Sequence, residues 1–203
     1  MVTVNLLDLS LEILTKLFQF LNVLSELLHK EITVKITMAF LLMFVMLLHL
    51  VTLAMVFIAT LEKSWWMWDG EDRADLWHKC ISDNTTGTMM CTSVSTNDWL
   101  QSVQALMVLS VILSSISFIV FICQLFTTSR KGLFYVSGLS QIFAGLATFT
   151  AVLIYTFQRK EILHDLREGH FGYCFILAWV CVPLLFCSGV LYVHLRKKTH
   201  TVA

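Results

Sequence analysis

Four long runs of this chain carry no acidic or basic residue, and no other feature limits the fold as tightly. They are Met38 to Ala59, Val103 to Phe126, Leu133 to Phe157 and Phe171 to Val193, with His49 the one titratable imidazole among them. The hydrocarbon core of a bilayer is about 30 Å thick, and roughly 20 apolar residues in a helix cross it. No water reaches that core, so the backbone polar groups of each run must be satisfied internally, which a helix does. Composition agrees. The chain is 57% hydrophobic and 14% charged, against about 45–50% and 25% in a soluble domain. The expected fold class is all-α membrane: a four-helix transmembrane bundle with spans at about 38–60, 103–126, 133–157 and 171–195. Net charge is zero, and no basic domain points to nucleic acid. Pro183 falls inside the fourth run, where a packed bundle tolerates a kink.

Loop charge sets the expected orientation. Residues 30–37, 127–132 and 196–203 hold seven Lys or Arg in 22 residues, and residues 61–99 and 158–170 hold six in 52. The denser side is expected to be cytosolic, which places both termini inside. The opposite side then holds Cys80 and Cys91, where a disulfide persists. It also holds Asn84-Thr85-Thr86, a glycosylation sequon that is usable only in the lumen.

The first outer loop, 61–99, is where a second kind of structure is expected. Ser64 to Trp68, Leu76 to Ile81 and Thr88 to Val94 are aromatic or β-branched enough for strands, with turns at Gly70 and Asp83-Asn84. A small extracellular antiparallel sheet clipped by Cys80–Cys91 follows, with the second outer loop, 158–170, able to add an edge strand. Only six residues separate the second and third spans, which makes those helices antiparallel neighbours. Ser110, Ser114, Ser115 and Ser117 in one and Gly138, Ala144, Gly145, Ala147 and Ala151 in the other let the backbones approach closely.

Residues 1–37 read as a separate amphipathic extension. Asn5, Asp8, Glu12, Lys16, Gln19, Asn22, Glu26 and Lys30 recur at helical spacing, and their charges exclude a span. Two readings stand: a helix lying on the cytosolic leaflet, or a stretch upstream of a usual start at Met38. Residues 38–198 form the four-span domain and 199–203 a short cytosolic tail.

Catalytic or metal chemistry finds little support. His78, His164 and His170 share the outer side, but their spacing fits no metal motif. His49 lies mid-span and is expected to hydrogen-bond across the bundle. No Asp, Glu, Lys or Arg lies inside a span, which counts against a transporter. The chain is expected to be no enzyme and to need no cofactor.

Five of the six tryptophans fall in the first outer loop: Trp65, Trp66, Trp68, Trp77 and Trp99. With its cysteines, that loop reads Trp65 … Leu76-Trp77-x-x-Cys80 … Cys91. This signature, with Asn97-Asp98-Trp99-Leu100-Gln101, Lys131-Gly132-Leu133-Phe134-Tyr135 and Phe171-Gly172-Tyr173-Cys174-Phe175, resembles the peripheral myelin protein 22 and epithelial membrane protein family of the claudin superfamily. The resemblance covers Met38 to Lys198 and implies a claudin-like bundle capped by a sheet. It departs from claudins at Asp75, where they carry glycine, and in a shorter first loop.

The resemblance also implies a non-enzymatic plasma-membrane protein of cell–cell contact, proliferation and differentiation, and membrane organisation. Such a protein works through the bilayer, lateral contacts with other membrane proteins or with copies of itself, and contacts across the extracellular gap. Two alternatives are an auxiliary subunit modulating an ion channel and a component of a paracellular barrier. Trp65 and Trp77, within the signature, are expected to be structural. Trp66 and Trp68 are expected to be the exposed pair that contacts a partner.

Overall fold

The computed structural model describes residues 2–68, 72–83, 88–94, 97–126, 133–163 and 167–201. The elements run α1 (Val2–Leu61), β1 (Trp66–Trp68), β2 (Arg73–Ala74), β3 (His78–Ser82), β4 (Met89–Ser93), α2 (Asp98–Phe126), α3 (Leu133–Leu163), β5 (Gly169–Phe171) and α4 (Tyr173–Thr201). The expected turn at Gly70, the sequon residue Asn84, the connection 127–132 and His164 lie outside the described residues.

The chain divides into two units, Met1–Phe44 and Val45–Ala203. The first is helical from Val2, and most of its described side chains are exposed, Phe20, Leu27 and Ile32 among them. Lys35 pairs with Glu31 at 3.5 Å one turn away. The hydroxyls of Thr33 and Thr37 donate to carbonyls one turn back.

In the second unit the same rhythm of burial runs along every helix. The α1 stripe is Val45, His49, Thr52, Val56 and Ala59. On α2 it is Leu100, Val103, Met107, Ser110, Ser114, Ser117, Phe121 and Gln124. On α3 it is Ser137, Gln141, Ala144, Thr148, Ala151 and Tyr155, and on α4 Cys174, Ala178, Cys181, Leu185, Ser188, Tyr192 and Leu195. Alternating steps of three and four residues average 3.5, the period that keeps one helix seam against its neighbours with a left-handed twist. The outward faces carry Ile112, Ile116, Ile119, Phe143, Phe157, Ile176 and Val190, all exposed, as a bundle solvated by lipid requires. Among the described residues four helices are long and apolar enough to cross a membrane, and the protein is a multi-pass membrane protein.

Small polar residues set how the helices meet. Ser110 shares a hydrogen bond with Thr148 (2.7 Å), and Ser140 Oγ donates to the Leu113 carbonyl (2.9 Å). Ser117 and Ser137 donate to each other's carbonyls (2.9 and 3.2 Å). Residue numbers fall along α3 as they rise along α2, so the two are antiparallel. At the α3–α4 seam a Cβ added to Gly138 would lie 3.0 Å from the Gly189 carbonyl oxygen, so the two backbones pass almost in contact. His49 ties three helices together. Its Nε2 reaches the Ser114 carbonyl (3.1 Å) and its Nδ1 the Tyr192 hydroxyl (2.5 Å). A carbonyl only accepts, so Nε2 carries the proton and Nδ1 accepts from Tyr192.

The strands form one antiparallel sheet in the order β4-β3-β2-β1-β5. β1 and β4 fall within the segments expected from sequence, β3 is shifted to start at His78 and end one residue later at Ser82, and β5 is the added edge strand. The two-residue β2 was not foreseen. All four helices run beyond the expected spans, α1 being continuous from Val2 to Leu61 and α4 reaching Thr201. α2 starts at Asp98 because the Asn97 side chain accepts the Trp99 N–H (2.9 Å), a helix N-cap. α3 continues past Phe157 to Leu163, carrying Arg159 and Lys160 up to the sheet.

Candidate functional site: a disulfide-clipped sheet seated on the helix ends

The signature residues of the first loop sit where α1 stops. The last carbonyls of a helix have no partner within it. Here the indole N–H of Trp65 donates to the Ala59 carbonyl (2.7 Å) and that of Trp77 to the Thr60 carbonyl (2.8 Å). The Glu62 N–H closes the turn on Ile58 (2.9 Å). Trp65 is fully buried, edge-on to Tyr155 (4.9 Å between ring centroids) and to Phe175 (5.9 Å). Leu76 is fully buried in the same cluster, against which Trp77 packs. The Leu76 carbonyl takes the Gln104 amide N–H (2.5 Å) from α2.

Asp75, where claudins carry glycine, is buried. Its carboxylate accepts the backbone N–H groups of Trp77 and His78, the latter at 2.6 Å. It thereby forms the turn that presents Leu76 and Trp77 to the bundle.

Cys80 and Cys91 are bonded and stand directly opposite each other in the β3–β4 ladder. The next pair along that ladder, Ile81 opposite Met90, is exposed at 39% and 63%. β4 is the outer strand of the sheet, and most of its residues are exposed. Trp99, at the start of α2, is 45% exposed.

The expectation that Trp66 and Trp68 form an exposed pair is corrected. They are only 5% and 2% exposed. Two-residue strand periodicity puts both on one face of β1, and that face packs on Ala74, Leu163 and Phe171. Cations cover the rings: Arg159 lies 5.0 Å from the Trp66 ring, and Lys79 and Arg167 lie 4.7 and 5.0 Å from the Trp68 ring. Residues about 90 positions downstream complete this cover, so nothing local in the sequence announces it. The exposed tryptophan of the loop is Trp99.

A second feature missed from sequence is the tie between the two loops. Asp72 accepts the Ser82 N–H (2.7 Å) and pairs with Arg167 (2.7 Å). The backbone donor first, and the guanidinium second, hold its carboxyl below the usual carboxylate range. Among the described residues no group of three or more His, Cys, Asp or Glu is placed to hold a metal ion.

A membrane bundle of heptad-spaced helices, capped by a disulfide-clipped sheet that two tryptophans fasten to α1, defines a class of four-span membrane protein. The chain belongs to the PMP-22/EMP/MP20/Claudin family, whose pattern it matches over residues 38–192. It is 50% identical to epithelial membrane protein 3 of Homo sapiens over 162 residues, covering 79% of this chain and 99% of that protein. It is 48% identical to epithelial membrane protein 3 of Bos taurus over 162 residues, with the same coverage of both chains. Epithelial membrane protein 2 of Pan troglodytes is 39% identical over 168 residues, again across 79% and 99% of the two chains.

Proposed function

We propose that the protein is a non-enzymatic plasma-membrane component of cell–cell contact, proliferation control and membrane organisation. Its termini lie in the cytosol and its sheet faces outward. The bundle docks laterally against other membrane proteins, and the sheet meets partners across the extracellular gap. Loop charge supports the orientation, and membership of the family supports the class.

The observation that carries the contact surface is the outer strand β4. Its free edge can accept a further strand, and Ile81 and Met90 beside it form an exposed apolar pair. Trp99 extends that surface. Asn84 adds a glycan on the same side. On either side of the sequon the Asp83 N–H donates to the Thr88 carbonyl (3.0 Å).

Proximity labelling in living cells tests the reading, with Ile81→Asp/Met90→Asp compared to the parent chain at equal surface delivery. Loss of a defined set of labelled membrane proteins is expected. An unchanged set would remove the sheet edge as the recognition element.

A further inference from the structure

A cleft of about 380 Å³ opens where α3 ends beneath the sheet, within the size range of small-ligand sites. Its wall includes Arg159, Lys160 and Arg167 beside one carboxylate, Glu168. Arg167 is already paired with Asp72. The Arg159 guanidinium lies over two aromatic rings, 5.0 Å from that of Trp66 and 5.4 Å from that of Phe171. Among the described residues, neither Arg159 nor Lys160 has a carboxylate within salt-bridge distance.

The wall also includes Trp66, which is only 5% exposed and whose indole N–H has no acceptor among the described residues. Gly169 borders that nitrogen. A Cβ there would lie 2.7 Å from Trp66 Nε1 and 2.5 Å from the Met67 carbonyl oxygen, so no side chain can stand over the donor. A buried N–H without a partner costs free energy, and an oxyanion entering the cleft would supply the acceptor.

Depth identifies the anion. The uncharged run of α3 ends at Phe157, and Arg159 and Lys160 fall in the next turn. Arginine and lysine one turn beyond the hydrocarbon core lie at the level of lipid phosphates.

We propose that this cleft is a headgroup site for a zwitterionic phospholipid of the leaflet on the sheet side. Arg159, Lys160 and the Trp66 indole N–H hold the phosphodiester, and Glu168 takes the ammonium. A bound headgroup would fasten β1 and β5 to the end of α3, which makes the seating of the sheet depend on the lipid.

The test uses the full chain in detergent, labelled with ¹⁵N at its indoles, the Trp66 signal being assigned by Trp66→Phe. It is titrated separately with dihexanoyl-phosphatidylcholine, dihexanoylglycerol and inorganic phosphate. A saturable shift of the Trp66 indole N–H with the phosphatidylcholine alone is expected. Arg159→Gln and Lys160→Gln should each weaken it about tenfold, the loss of one charge-assisted hydrogen bond, while the Trp65 indole signal reports an intact fold. An equal response to dihexanoylglycerol would show an apolar groove, and saturation by inorganic phosphate would show a simple anion pocket. Either result overturns the proposal, as does unchanged affinity in both charge variants.

Discussion

Two buried tyrosines allow the same chemical deletion to be made in opposite surroundings. Tyr155 and Tyr192 are both fully buried on the inward stripes of α3 and α4. The Tyr192 hydroxyl bonds to His49 Nδ1, whereas the Tyr155 hydroxyl has no partner among the described residues. Tyr155→Phe keeps the ring between Trp65 and Phe175, at centroid distances of 4.9 and 5.8 Å. It removes an orphaned polar group whose burial costs about 1–3 kcal/mol. The void left by one oxygen returns about 0.3 kcal/mol, taking roughly 12 Å³ at ~24 cal/mol per Å³. A net stabilisation of about 1 kcal/mol is expected.

Tyr192→Phe leaves His49 Nδ1 without its donor and should destabilise by about 0.6–1.7 kcal/mol, the range of hydrogen bonds between membrane helices. Thermal unfolding in detergent resolves the two, because about 1 kcal/mol moves Tm by ~2–4 °C in a chain of this length. Tm should rise for Tyr155→Phe and fall for Tyr192→Phe. Changes of the same sign would refute the reasoning, since ring burial alone would then govern both sites.

Two further outcomes follow from the sheet. The depressed titration of Asp72 means that its ionised form stabilises the fold at all pH values above the ordinary aspartate value, about 3.9. That contribution is lost as pH falls below this value and through the lowered folded-state one. Protease cleavage of the second loop should therefore stay flat from neutral pH down to about 4 and rise below it, and Arg167→Gln should raise cleavage at neutral pH and shrink the acid rise; an unchanged profile would remove the Arg167 pairing as its cause. Cys80→Ser/Cys91→Ser opens a loop of sequence separation 11, worth roughly 3 kcal/mol in the chain-entropy model. Hydrogen exchange should then quicken in β3 and β4 while the α2 and α3 amides stay protected, and uniform loosening would show that the sheet is no separate unit.

The spans were legible because length and absence of charge suffice to find them. How the helices face one another was not, because hydrophobic periodicity is inverted in lipid. On α2 the buried stripe carries Ser110, Ser114 and Ser117 while Ile112, Ile116 and Ile119 look outward. A search for an apolar core stripe therefore finds nothing, whereas small and polar residues followed at steps of three and four trace the seam. The serines of α2 and the small residues of α3 did point to close packing, and the Ser110–Thr148 and Ser117–Ser137 bonds realise it. Strand segments were legible from alternation. The fate of their tryptophans was not, because Arg159 and Arg167, which cover Trp66 and Trp68, come from the far side of two spans.

The tryptophan–cysteine signature has a physical reason beyond its use as a marker. Four helix ends meet beneath the sheet, and each leaves backbone groups that its own helix cannot satisfy. At the end of α1 the Ala59 and Thr60 carbonyls take the indoles of Trp65 and Trp77. At the start of α4 the Cys174 N–H donates to the Ser64 carbonyl (3.1 Å), and beside it the Gly172 N–H donates to Trp65 (2.9 Å). At the start of α2 the Asn97 side chain accepts from Trp99, and its amide donates to the Glu161 carbonyl near the end of α3 (2.7 Å). The sheet's strands are too short to stand alone, and the Ala59 and Thr60 end of α1 is buried away from water. Each therefore completes the other: the bundle gives the sheet a floor, and the loop residues cap the bundle. A contact surface of the kind proposed on β4, one of the two edge strands, would in consequence be held in a fixed position relative to the helix ends.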